Sequence, residues 1–189
     1  EIHSGDWSSD VCSSDLLQAG ELDVDQVLKR LRAMPFEDLD YARLDFHRDL
    51  RQGLPEIIFC QNKTPGQVLT IMQHLGVHHD RVLGTRASSE IAKFVSRQLP
   101  EVTYDPVSRL LKLSRDELPS QREDEPYAMV VTGGTSDQPV AEEAAQTLEF
   151  LGDRIERAYD VGVSGIHRLL EEHQRLFDAD VIISVAGME

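Results

Sequence analysis

The chain has 189 residues with 34 acidic and 19 basic side chains, a formal net charge of −15, which is enough polypeptide for two small domains or one large one. Such an acidic excess excludes broad binding to nucleic acid or to an anionic membrane and leaves room only for a local basic site for phosphates. There is no run of eighteen apolar residues, no signal-peptide core and no disulfide framework, so the sequence reads as a cytoplasmic protein.

Residues 1–16, EIHSGDWSSDVCSSDL, are rich in Ser and Asp, repeat SSD and show no apolar period. They are similar to a translated sequencing adapter and are set aside as non-native; a genuine disordered terminus would equally lack a packed core. Without their four acids (Glu1, Asp6, Asp10, Asp15) the formal charge is −11, from 19 basic and 30 acidic residues. Cys12 goes with that segment, and the single remaining cysteine, Cys60, fits a reducing compartment.

Asp23 stands before VDQVLKRLRAM, whose Val24, Val27, Leu28 and Leu31 share a helical face, with Gln26 three residues after the candidate cap and Pro35 as a stop. The stretch from 36 to 53 is mixed and charged. A short strand is expected at 56–60, then a helix opened by Thr64-Pro65, running to Leu75 and ended by Gly76. A strand at 81–85, a helix at 88–98 with Pro100 behind it, and short strands near 102–104 and 110–113 complete a small α/β unit over residues 22–113. SRDELPSQREDEP, residues 114–126, is charged, carries proline and has no apolar face, which makes it the expected linker.

Beyond the linker the pattern is strand 127–132, helix about 139–151, strand 155–161, helix about 165–176 and strand 180–186. Short β-α-β-α-β connections with right-handed crossovers put the three strands in one parallel sheet, an α/β fold of the Rossmann or flavodoxin-like kind. The last strand has no helix after it to cover it. The sequence therefore predicts that this is the first part, residues 127–189, of an incomplete domain of a longer protein, with an exposed edge that would favour aggregation.

Three segments of this region are apolar, β-branched runs that break into glycine and small polar residues: VVTGGTSDQPVAEEA (130–144), YDVGVSGIHRLL (159–170) and VIISVAGME (181–189). Ligands of open α/β sheets collect where strands end and helices begin, so the three loops are expected to share one site. Gly133 and Gly134 permit close backbone approach, and Thr135, Ser136 and Asp137 lead into a helix N-terminus that attracts anions. The competing reading is a Gly-Gly turn with Ser136 or Asp137 as an N-cap. A negative Asp137 suits ribose hydroxyls better than phosphate. In the second loop Asp160, Gly162, Ser164 and Gly165 supply a tight turn, and His167 and Arg168 fall in the first turn of the next helix. A lone helical histidine is more often a surface or satisfied core residue, and a lone arginine is more often solvated. Glu189 ends the third segment, where a carboxylate can act as acid or base or be an ordinary exposed residue.

His74, His78 and His79 lie close together, but no cysteine or carboxylate is spaced to complete a tetrahedral set, so no metal site is assigned to them. Cys60 follows a strand with no His or Lys placed to activate it and reads as a buried, inert thiol.

Taken together, TGGTSDQPVAEEA, YDVGVSGIHRLL and VIISVAGME closely resemble the AIR carboxylase-like domain of the LarB family, carboxylase/hydrolases of nickel-pincer nucleotide cofactor synthesis that support lactate racemase. LDYARLDFHRDLRQGLPEIIF, KTPGQV and RVLGTRAS look like that family's additional N-terminal domain, so the resemblance spans roughly residues 22–189. It implies an AIR carboxylase-like three-layer domain. It also implies carboxylation of the pyridinium ring of nicotinic acid adenine dinucleotide, with CO2 or bicarbonate as co-substrate, and hydrolysis of the phosphoanhydride to release AMP. A pyridinium ring is too electron-poor to attack CO2; addition of a cysteine thiolate makes it an enamine that can, after which a base removes the ring proton and the thiol leaves. In the family that cysteine lies downstream of the AGME strand, and neither Cys12 nor Cys60 corresponds to it.

By the same resemblance Gly134, Thr135, Ser136 and Asp137 hold the phosphate and ribose, Gly165, His167 and Arg168 line the site, and Glu189 handles protons at the ring. Magnesium at the diphosphate and an octamer-like homo-oligomer are further implications. Two rivals remain. An aminoimidazole ribonucleotide carboxylase of purine synthesis shares TSD and HR, but such enzymes normally begin at the TSD-type strand. The other rival is a noncatalytic nucleotide-binding module.

Overall fold

The computed structural model describes residues 20, 23–25, 37–38, 43–44, 56–115 and 125–187. It divides into a unit over Glu1–Asp45 and a unit over Phe46–Glu189. In the first, strands β1 (Glu37–Asp38) and β2 (Arg43–Leu44) pair antiparallel, Glu37 opposite Leu44. The adapter-like segment 1–16, most of the helix expected at 24–34 and most of the linker expected at 114–126 lie outside the described residues.

In the second unit, β3 (Ile57–Phe59) leads to α1 (Pro65–His78), β4 (Arg81–Thr85), α2 (Ser89–Gln98), β5 (Val102–Asp105) and β6 (Leu110–Ser114). Thr64 caps α1 as its sequence suggests, and the cap is reciprocal: its hydroxyl accepts from the Gln67 amide while the Gln67 side chain accepts from the Thr64 amide. Ser88 caps α2 through the Ile91 amide. The strands make one mixed sheet in the order β3-β4-β6-β5, with β3 and β4 parallel and the other pairs antiparallel.

Gly76 does not stop α1, as the sequence had suggested. It is buried inside the helix, which runs on to His78 and closes with the His79 amide on the Leu75 carbonyl. A β-carbon there would sit 3.5 Å from Leu113 Cδ1, an ordinary contact, and the Gly76 carbonyl accepts from Arg115.

Tyr127–Thr132 (β7), Gln138–Leu151 (α3), Arg154–Ala158 (β8), Ile166–Glu171 (α4), His173–Asp178 (α5) and Val181–Val185 (β9) follow. All three strands are parallel, in the order β8-β7-β9. Two boundaries differ from expectation. The second strand stops at Ala158 because Asp160 takes a left-handed backbone, φ 60°, and the single helix expected at 165–176 is broken in two at Glu172, φ −88° and ψ 1°.

Alternation along β7 sends side chains to two covered faces. Met129 and Val131 pack with Ala158, Val161, Leu169 and Leu176, on the side of α4 and α5, while Val130 packs with Ala141, Ala145 and Ile155, on the side of α3. A first strand in the centre with helices on both faces is the doubly wound, flavodoxin-like arrangement.

The same α3 also covers the mixed sheet. Leu83 and Leu110 cluster with Phe150 of α3, whereas the next residue of β4, Gly84, faces Met72 of α1. Helix α3 is thus an inner layer between the two sheets, with α1 and α2 on the far side of one and α4 and α5 on the far side of the other. Its polar residues are matched accordingly: Gln146 receives Lys112 Nζ at 2.7 Å and Ser108 Oγ at 3.2 Å, and donates to Glu142 at 2.8 Å. Glycine terminates α3 in the left-handed conformation, Gly152 having φ 107° and donating its amide to the Leu148 carbonyl.

Candidate functional site

The strand order puts a topological switch point beside β7: the chain leaves it through α3 on one face and returns to β9 through α4 and α5 on the other. Three loops follow the carboxyl ends of the strands there, and glycines let them touch. Gly133 donates its amide to the Val185 carbonyl at 3.2 Å, and a β-carbon on it would be 3.1 Å from Ala186 Cβ. Gly162 donates to the Gly133 carbonyl at 3.0 Å, and Val161 to the Thr132 carbonyl at the same distance. First, second and third loops are therefore joined through Gly133, as the convergence of the three segments requires.

In the first loop, Thr135–Asp137 form one 3-10 turn before α3. Thr135 and Ser136 are exposed and Asp137 is half-buried. The Asp137 carboxylate accepts from the Gly134 amide at 3.0 Å and the Asp137 amide donates to the Gly134 carbonyl at 3.2 Å. Asp137 precedes α3 but makes no side-chain cap for it, so its carboxylate braces the Gly-Gly turn instead, and the N-cap reading of Asp137 is replaced. Thr135 and Ser136 are left with hydroxyls at the surface beside the start of α3.

In the second loop, Val163–Gly165 form a 3-10 turn, and His167 and Arg168 stand exposed in the first turn of α4. Arg168 Nη1 is paired with the Asp160 carboxylate. Gly165 has φ −127°, a conformation open to any residue, so its value lies in space: a β-carbon would be 2.7 Å from Arg168 Nε and Nη2. The sequence marked Asp160 only as a turn residue. Its partnership with Arg168 joins positions eight apart across a strand end and a turn, a relation that no helical or strand period signals.

Glu189, with Met188, lies outside the described residues. Among the described residues no three His, Cys, Asp or Glu side chains gather to hold a metal ion. Cys60 is fully buried and its thiol is pushed up to about 11 by burial, only partly offset by Lys63. No described helix is long and apolar enough to cross a membrane.

Residues 36–115 match the model of the LarB/PurE-like N-terminal domain. A protein of Methanocaldococcus jannaschii, named as the uncharacterized protein MJ0165, is 32% identical over 187 aligned residues that span 93% of this chain and 72% of the relative. The chain belongs to the LarB/PurE-like family. Membership relates it to enzymes of the AIR carboxylase type. For the LarB/PurE-like chain, the matched residues 36–115 include the mixed sheet that packs on α3, and the parallel sheet packs on that helix through Ala141 and Ala145, with the first switch-point loop leading directly into its start.

Proposed function

We propose that this chain is part of a pyridinium-3,5-biscarboxylic acid mononucleotide synthase of nickel-pincer cofactor synthesis. The enzyme carboxylates the pyridinium ring of nicotinic acid adenine dinucleotide with CO2 or bicarbonate and hydrolyses the phosphoanhydride to release AMP. It acts in the cytoplasm as an octamer-like homo-oligomer and serves lactate racemase maturation. One observation carries the reading: the LarB/PurE-like N-terminal domain match at 36–115 is joined, in the same chain, to a TSD loop and an HR helix start at one switch point. The purine enzymes, which normally begin at the TSD-type strand, offer no counterpart for the first part.

In this proposal Gly134, Thr135, Ser136 and Asp137 hold phosphate and ribose, the hydroxyls donating and the carboxylate accepting. Gly165, His167 and Arg168 line the site, with the Arg168 guanidinium beside the second loop. Glu189 removes the ring proton. Cys60 cannot supply a thiolate from a dry core with its ionisation suppressed, which agrees with a nucleophile elsewhere in the full-length protein. Magnesium enters only as a companion of the substrate's diphosphate; the described residues assemble no set of ligands for it, and no step runs through it.

The test is incubation of the full-length protein carrying this sequence with nicotinic acid adenine dinucleotide and labelled bicarbonate, with AMP and labelled pyridine product followed by mass spectrometry. Both products are expected, and Glu189→Gln is expected to abolish label incorporation. Carboxylation of aminoimidazole ribonucleotide instead would move the chain to the purine branch, and nucleotide binding without turnover would make it a binding module.

A further inference from the structure

Asp160 is one of four non-glycine residues with positive φ among the described ones, at 60°. Two contacts hold it there. Its amide donates to Thr132 Oγ1 at 2.9 Å, and Thr132 is 1% exposed, one of two buried polar residues in the described core. Its carboxylate takes Arg168 Nη1. The backbone turn at Asp160 therefore rests on a hydroxyl at the end of β7, and the side chain of Asp160 reaches from the end of β8 to the start of α4.

Thr132 also ties the neighbouring strand end through its carbonyl, which accepts from the Val161 amide at 3.0 Å. Meanwhile Gly165 leaves room under the guanidinium, where any β-carbon would displace Nε and Nη2. An arginine side chain free in solvent samples many rotamers; this one, about half exposed, is paired on one side with a carboxylate and bounded on the other by backbone. Because only Nη1 is engaged with Asp160, the fork keeps donors for a second anion.

We infer that Thr132 and Asp160 are positioning residues that hold Arg168 against the second switch-point loop as a preformed contact for the anionic part of the ligand. The inference rests on the nucleotide reading above for the identity of that ligand. Thr132 acts through a hydroxyl that a valine of the same shape lacks, and Asp160 acts through a charge that glycine lacks although glycine suits the left-handed backbone better.

The experiment uses the full-length protein and three variants, Thr132→Val, Thr132→Ser and Asp160→Gly. It reads three things: the Nε–H resonance of Arg168 by nuclear magnetic resonance, the affinity for nicotinic acid adenine dinucleotide by calorimetry, and the melting temperature. Asp160→Gly and Thr132→Val are expected to release the Arg168 resonance toward the position of a free arginine and to weaken binding at least about tenfold, as for loss of an oriented charged contact. Thr132→Ser is expected to restore both, and Asp160→Gly not to lower the melting temperature. An Arg168 resonance unmoved in Asp160→Gly and Thr132→Val overturns the inference, as does an affinity loss that simply follows the melting temperature. Failure of the unsubstituted protein to bind the dinucleotide counts against the functional reading instead, and the resonance still decides whether Arg168 is held.

Discussion

The amide of Gly162 donates to the carbonyl oxygen of Gly133 at 3.0 Å, and a β-carbon on Gly162 would overlap that same oxygen. The φ of Gly162 is −58°, so its backbone would accept any residue; only the close approach of the two loops demands glycine. Gly162→Ala is expected to push the first and second loops apart and to destabilise the protein by about 1–3 kcal/mol, as for overpacking against backbone that cannot move aside. Gly187→Ala is the control, since a β-carbon there meets nothing within 4 Å. Urea unfolding of both variants checks this; equal midpoints would show that the loops are not in contact.

Gly76 gives the opposite sign. A helix-ending glycine replaced by alanine should lose stability, whereas a glycine inside a helix with an ordinary contact distance to Leu113 should gain it. Gly76→Ala is expected to raise stability by about 0.5–1 kcal/mol through helix propensity. Thermal unfolding reads the sign directly.

The partly buried group around Glu142 makes stability depend on pH at both ends. Arg157 Nε bonds Glu142 at 3.1 Å and Arg157 Nη1 bonds Glu149 at 2.6 Å, while the Tyr159 hydroxyl donates to Glu142 at 2.8 Å. Burial acts to raise the Glu142 carboxyl, but hydrogen bonds from Gln146, Tyr159 and Arg157 outweigh it and hold the group below its ordinary 4.5. Its contribution is therefore complete above the ordinary glutamate range and is lost as pH falls through the lower folded value. Tyr159 is pushed up to about 12 by burial first and by its bond to Glu142 second. Its contribution is complete below the ordinary 10 and is lost as pH rises from there toward about 12. Stability measured against pH should flatten on the acid side in Glu142→Gln and on the alkaline side in Tyr159→Phe; unchanged slopes would remove these residues from the account.

Cys60 is expected to be silent in the folded protein. In a Cys12→Ser background, a thiol reagent at neutral pH should leave Cys60 unmodified until urea unfolds the chain, because the thiol is fully buried and its thiolate scarce. Gly84 sets the same spot from the other side: a β-carbon there would be 2.9 Å from Cys60 Sγ and 3.4 Å from Leu111 Cβ. Gly84→Ala should cost about 1–3 kcal/mol and bring Cys60 into reaction under milder denaturation. Rapid labelling of Cys60 in the native protein would contradict the packing.

The sequence by itself determined what neighbours along the chain decide. The apolar run of Tyr127–Thr132, the Thr64-Pro65 helix start and the parallel β-α-β-α-β order all follow from local propensity and from crossover handedness, and each is present. The three glycine segments marked the switch point because strand ends carry the loops. Only the tertiary structure decided that Gly76 continues its helix, buried within it and with its carbonyl accepting from Arg115 beyond β6. Only it showed α3 as an inner layer, because Gln146 and Phe150 meet residues dozens of positions away. Asp160 likewise read as an ordinary turn residue until Thr132, 28 positions before it, and Arg168 were brought to it. Propensity acts over a few residues, whereas the meaning of a buried hydroxyl or a paired charge is set by whatever the fold places beside it.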